Sequence, residues 1–154
     1  MLGSTTEAGA SGEARDRILM QHSVLRSLIA DVVEVAGRTA ASGEGVERLR
    51  DRAKLLYETL TVHMNFEEKL LPAALADVIG WGAVIRERLE EDHARQRQAI
   101  ELAISQIGPD GLSGVALVDS VRAFANMLLL DMESEEKSLL QADLDALSSD
   151  ARGG

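Results

Sequence analysis

The chain contains no cysteine, which excludes disulfides, thiolate metal sites and cysteine nucleophiles and leaves His, Asp and Glu as the candidate metal ligands. Aromatic residues are scarce, 3% of 154. The core must then be built from Leu, Ile, Val, Ala and Met, which suits packed helices better than the aromatic and β-branched strands of a sheet. Basic residues are in deficit, 16 Lys and Arg against 26 Asp and Glu, for a net charge of −10. Such a chain repels phosphate backbones and anionic lipid, so neither nucleic acid nor a membrane is expected as a partner. No apolar run is long enough for a membrane span. The stretch Met1–Glu13 has neither a basic n-region nor an apolar h-region, and a cytoplasmic location is the expectation. Glycine-rich phosphate loops and a Ser/His/acid spacing are also missing, which leaves hydrolytic nucleophilic catalysis without machinery.

What is there is ordinary for one soluble domain: 45% apolar and 27% charged residues over a length that holds one core. The ends, residues 1–12 and 148–154, are small and polar and are expected to form flexible tails around a folded unit spanning 13–147. Punctuation is sparse. It falls at Ala41–Gly45, across Pro72–Gly82, and at Gly108-Pro109-Asp110-Gly111 with Gly114 close behind, so four segments remain.

Each segment carries apolar residues at steps of three and four, the mark of a helix with one buried face. The seams are Ile18, Leu25, Ile29, Val32 and Ala36; Leu49, Ala53, Leu56, Leu60 and Leu70; Ile85, Leu89, Ile100, Ala103 and Ile107; and Leu117, Val121, Phe124, Leu128, Leu139 and Ala142. Four long amphipathic helices with short connections predict an all-α, antiparallel, up-down-up-down four-helix bundle. Pro72 is expected to end or kink the second helix, Gly108 to cap the end of the third, and Ser113 to cap the start of the fourth.

Besides Gln96, six polar residues interrupt these seams: His22, His63, Glu67, His93, Asp131 and Glu135. All three histidines of the chain are among them. A carboxylate buried without a partner costs several kcal/mol or takes up a proton, and metal cations would compensate three of them. His63 and Glu67 stand four apart, as do Asp131 and Glu135, which sets each pair on one helix face one turn apart. Nitrogen and oxygen donors without sulfur suit iron, manganese or zinc, and six ligands are about what two ions need.

The two pairs lie in related sequence. His63-Met64-Asn65-Phe66-Glu67-Glu68-Lys69-Leu70-Leu71 aligns with Asp131-Met132-Glu133-Ser134-Glu135-Glu136-Lys137-Ser138-Leu139 at five of nine positions. The neighbours Glu68, Glu133 and Glu136 fall off the seam and read as solvated charges, as do Arg48, Arg50 and Arg52. Tyr57 and Trp81 read as packing residues, and Met20, Met64, Met127 and Met132 as gap-filling core or near-core side chains.

The stretch from His63 to Pro72 resembles the second-helix motif of the hemerythrin-like family, the HHE cation-binding domains that hold a non-haem di-iron centre inside a four-helix bundle. The resemblance runs from about Ile18 to Leu144. It implies two iron ions, with manganese as the alternative, joined by an oxo or hydroxo bridge. It further implies Glu67 and Glu135 as bridging carboxylates, His22 and His63 as terminal ligands of one metal, and His93 and Asp131 as terminal ligands of the other. Two positions depart from the oxygen-carrying members: Arg97 stands where a second third-helix histidine would be, and Asp131 where the fourth helix usually has histidine. Both weigh against reversible oxygen carriage, and a lost ligand opens a coordination position for a small molecule. A ferritin-like alternative needs two Glu-x-x-His motifs, and only Glu90–His93 has that spacing.

The function expected from this resemblance is a non-haem di-iron protein that binds dioxygen, peroxide or nitric oxide, with peroxidase- or catalase-like turnover as the enzymatic form. Two alternatives stand beside it. One is an iron- or gas-responsive sensor, or an iron-handling module, acting through a protein partner that the sequence does not identify. The other is a metal-free helical interaction module whose polar seam fixes register.

Overall fold

The computed structural model describes residues 2–78, 80, 82–107, 112 and 114–153, with side chains described for 11–78, 80, 82–107, 112 and 114–141. Four helices follow in order: α1 (Leu2–Ser42), α2 (Val46–Ala74), α3 (Gly82–Ile107) and α4 (Gly114–Gly153). No strand occurs among the described residues, as the aliphatic composition and three-to-four periodicity predict. α1 packs on α2 and α4, α3 packs on the same two, and α2 and α4 approach each other across the diagonal. This is the expected antiparallel four-helix bundle. No described helix is long and apolar enough to cross a membrane.

The connection from α1 to α2 is tight because two glycines adopt the left-handed conformation that side chains resist, Gly43 at φ 73° and Gly45 at φ 81°. Gly43 donates its N–H to the Thr39 carbonyl at 2.8 Å, which closes the last turn of α1. Glu47 places an acid in the first turn of α2, where the helix dipole favours it. Pro72 lies inside α2, and the helix ends two residues later at Ala74, within the expected range of its effect. Gly108, Ser113 and Trp81 lie outside the described residues.

In the stretch expected as an N-terminal tail, the α1 backbone is helical from Leu2, and Ser11 is buried and donates its hydroxyl to the Ala73 carbonyl at 2.8 Å. Arg15 is likewise buried and pairs with Asp77. These two contacts tie the first turns of the described side chains to the end of α2.

The predicted seams are inside, with Leu70 and Ile107 only partly buried and the Ala142 side chain outside the described residues. The core is divided into two apolar clusters: a large one containing Leu25, Ile29, Leu56, Leu60, Ile100 and Leu128, and a smaller one containing Ile18, Leu71, Ile85, Leu89 and Leu139. Burying a Leu or Ile side chain is worth about 1.5–3 kcal/mol, so these two clusters hold the bundle together. Tyr57 packs edge-on against Phe124 at 4.7 Å between ring centroids, a packing role as expected. Met64 and Met132 are in the core, but Met20 is 69% exposed, because it lies two residues from both Ile18 and His22 and so faces away from the buried stripe.

The antiparallel order sets the level at which the two clusters meet. On α1 and α3 the smaller cluster precedes His22 and His93; on α2 and α4 it follows Glu67 and Glu135. One polar layer therefore crosses all four helices between the two apolar cores.

Candidate metal centre

His22, His63, His93, Glu67 and Glu135 are all buried in this layer, and Glu67 has no exposed surface at all. Each helix supplies its residues through the same local rule, an inward position on a 3.6-residue period, so α2 brings His63 with Glu67 and α4 brings Glu135, while α1 and α3 bring one imidazole each from the flanks. All three imidazoles aim Nε2 at Glu67: His63 from 2.7 Å, His93 from 3.6 Å and His22 from 3.9 Å, each measured to Oε2. Glu135 faces two of them with different oxygens, Oε1 lying 3.0 Å from His22 Nε2 and Oε2 lying 3.4 Å from His93 Nε2.

One donor atom from each of His22, His63, Glu67 and Glu135 lies within 4.8 Å of the other three. At metal–ligand bond lengths of about 2.1 Å, donors around one ion stand roughly 3.0 Å apart when adjacent and 4.2 Å apart when opposite. The four donors are close enough together that they could hold one cation, which would draw the widest pairs slightly inward. His93 comes from α3, which does not touch α1 among the described residues, and its Nε2 meets the same oxygen of Glu67 but the other oxygen of Glu135.

Both oxygens of Glu67 are buried without a hydrogen-bond partner among the described residues. His63 Nε2 is close to Oε2, but the approach is not that of a hydrogen bond. A buried ionised carboxylate so placed is costly unless a cation lies between it and its neighbours. Burial pushes its pKa upward, but the imidazoles of His22, His63 and His93 outweigh burial and hold Glu67 below the ordinary carboxylate range. His93 is affected by the same balance: burial lowers its pKa, whereas Glu67 and then Glu68 raise it to a net upward shift.

Asp131 is the one expected ligand that the structure does not bring into this group. It is only partly buried, its Oδ1 accepting from Arg95 at 2.8 Å and its Oδ2 from the Gln96 amide at 3.2 Å.

The outer nitrogen of every imidazole is also occupied, each time by a residue of another helix. His22 Nδ1 donates to Glu136 at 3.1 Å, His63 Nδ1 to the Gln21 side-chain oxygen at 2.5 Å, and His93 Nδ1 to Glu68 at 3.3 Å. A ring that keeps its proton on Nδ1 can turn the Nε2 lone pair inward, the tautomer that a metal-ligating histidine uses, although His22 Nε2 also hydrogen-bonds Glu135 Oε1 at 3.0 Å. Arg26 grips Glu136 with two hydrogen bonds, of 2.5 and 2.7 Å, and Arg97 lies 2.7 Å from Glu68. Arg26 is the main cause of the lowered pKa of Glu136, and Arg97 of that of Glu68, so both remain ionised acceptors.

Glu68 and Glu136 are accordingly not the solvated charges that the sequence suggests; Glu133, which faces Lys137 at 3.3 Å, is. The sequence signal for them is the shared Glu-Glu-Lys of the internal similarity, together with His-x-x-x-Arg at His22–Arg26 and again at His93–Arg97. Gln21 has no comparable signal.

A cavity of about 190 Å³ opens between α1 and α2 beside this layer, lined by Gln21, Val24, Leu25, Val62, His63 and Phe66 among others, and its walls are mainly apolar.

The sequence matches a known domain family, the Hemerythrin HHE cation binding domain, over residues 13–142. No curated protein and no solved structure matches the chain.

Proposed function

Because the chain belongs to the hemerythrin HHE cation-binding family, we propose that its polar layer binds two non-haem iron ions and, through them, dioxygen, peroxide or nitric oxide. The observation that carries the metal reading is Glu67: a carboxylate with no exposed surface, both oxygens lacking a hydrogen bond, and three imidazole Nε2 atoms turned towards it.

The residues suit such ions. His22, His63, Glu67 and Glu135 would hold the first, and their N/O donor set is one that iron and manganese accept. Glu67 and Glu135 would be shared with a second ion on the His93 side, where Asp131 would have to leave Arg95 and Gln96 to complete the set. Iron there would supply a redox-active Lewis acid able to take up small oxygen and nitrogen ligands. The protein's own part is to keep five donors fixed between two apolar cores and to neutralise cationic charge with two buried carboxylates. The α1–α2 cavity, with its apolar walls, suits a small neutral ligand better than a charged one.

The test is metal analysis of the purified protein with its ultraviolet–visible spectrum before and after peroxide, alongside Glu67→Ala and Glu133→Ala. The reading expects about two irons per chain, charge-transfer bands that change with peroxide, loss of most metal in Glu67→Ala and retention in Glu133→Ala. Equal metal in the two variants would remove Glu67 from the site. Absence of stoichiometric metal after anaerobic iron loading would return the metal-free interaction module to first place.

A further inference from the structure

Two of the three outer contacts are built alike. On α1, His22 is followed four residues later by Arg26, and both reach the same carboxylate on α4, Glu136. On α3, His93 is followed four residues later by Arg97, and both reach the same carboxylate on α2, Glu68. Each of these carboxylates directly follows a carboxylate of the core, Glu135 or Glu67. The intervening residues differ, Ser23-Val24-Leu25 in one case and Ala94-Arg95-Gln96 in the other, so the shared feature is the three-residue device itself.

Surface charge pairs contribute little to stability, and these arginines are 42% and 38% exposed. The carboxylate between each arginine and its imidazole is nevertheless placed to do something that an exposed pair cannot. It accepts the Nδ1 proton of a buried ring, which sets both the tautomer and the rotation of that ring. The guanidinium holds the carboxylate in place by charge and geometry. Arg97 occupies the position at which the resemblance would put another histidine, and the contact with Glu68 gives that replacement a purpose.

We infer that Glu136 with Arg26, and Glu68 with Arg97, are positioning pairs that hold His22 and His93 from outside with Nε2 directed at the cation site. The inference rests on the metal reading of the polar layer for its purpose, but not for its first observable. His63, held by the neutral Gln21, is outside the device.

Two measurements on the full-length protein test it. The first is nitrogen-15 NMR of the histidine rings in metal-free protein at alkaline pH. Glu136 competes with Glu135 for the ring proton of His22, and Glu68 with Glu67 and Glu135 for that of His93, so wild type should show a measurable Nδ1–H population at both rings. Glu136→Leu should shift His22 towards the Nε2–H form and Glu68→Leu should do the same to His93, whereas Glu136→Gln and Glu68→Gln, which retain an oxygen acceptor, should keep the wild-type pattern. The second is manganese(II) affinity by competition with a chromophoric chelator. Each Leu variant should bind about 10- to 100-fold more weakly, as expected for loss of an outer partner. The Gln variants should recover part of that loss, and Glu133→Leu should bind as wild type does.

Unchanged tautomers in both Leu variants would overturn the inference, as would wild-type manganese affinity in both. If a Leu variant fails to fold, the Gln variant decides: an Nε2–H ring despite the retained acceptor would overturn it. If wild type binds no metal, the metal reading fails, while the tautomers still decide whether these carboxylates hold the rings.

Discussion

Replacing Glu67 with glutamine keeps the volume of a side chain that has no exposed surface and removes its charge, so it tests the centre of the site without opening a cavity. Loss of an outer partner of a ligand costs about 10- to 100-fold in metal affinity, and loss of an anionic ligand in contact with the ion should cost at least the upper figure. A hundredfold is about 2.7 kcal/mol, and with metal in excess that is the stabilisation the ion no longer contributes. For a domain of this size each kcal/mol moves the melting temperature by about 2–4 °C, so the rise in Tm on adding iron(II) or manganese(II) should shrink by roughly 5–10 °C. The assay is thermal melting by circular dichroism under anaerobic conditions, with chelator and with metal, for wild type, Glu67→Gln and Glu133→Gln.

The chelated variant has its own signature. The imidazoles hold Glu67 below the ordinary carboxylate value of 4.5, so its ionised form contributes stability above that value, lost as pH falls through the lower folded one. Glutamine forfeits this contribution in mildly acid buffer. The deficit should narrow as pH rises through the raised folded pKa of His93 and that ring loses its charge, because burial then favours a neutral amide. A metal-induced rise in Glu67→Gln equal to that of wild type would refute the reasoning.

Asp131→Ala should retain the ion held by His22, His63, Glu67 and Glu135, since Asp131 is engaged with Arg95 and Gln96, whereas His63→Ala should lose it; metal-to-protein ratios check this, and loss of all metal in Asp131→Ala would make it a principal ligand. The chelated wild type should also lose stability at alkaline pH. His93 has a raised folded pKa, so its contribution is complete below 6.5 and disappears as pH rises through the folded value, while the lowered carboxylates Glu67, Glu68 and Glu136 contribute above 4.5. Melts from acid to alkaline pH should therefore peak between those two values, and a Tm that climbs steadily past neutrality would contradict the assignment. Tyr57, the only tyrosine, has its hydroxyl pushed up to about 12 by burial. Absorbance titration of the folded protein should accordingly show no tyrosinate until about that pH or until the bundle unfolds.

Much of the site is legible in the chain because helix periodicity is a local property. The inward positions of His22, His63, Glu67, His93 and Glu135 follow from spacing against Leu, Ile and Val neighbours, whatever the rest of the molecule does. The same periodicity, with the lack of aromatics, dictates a helical bundle, and short connections make it antiparallel. Asp131 satisfies that rule as well as Glu135 does, yet its carboxylate is taken by Arg95 and Gln96 of α3, a choice made by the lateral approach of a neighbouring helix.

Glu68 and Glu136 show the opposite case. One position off the seam, they look solvated on their own helices, and they become partners of His93 and His22 only because α3 lies beside α2 and α1 beside α4. The chain alone determines which residues face inward, since that depends on dihedral angles repeated along one helix. Which of them meet, which nitrogen of each imidazole is held from outside, and where a cavity reaches His63 depend on the distances between helices, and only the tertiary structure decides those.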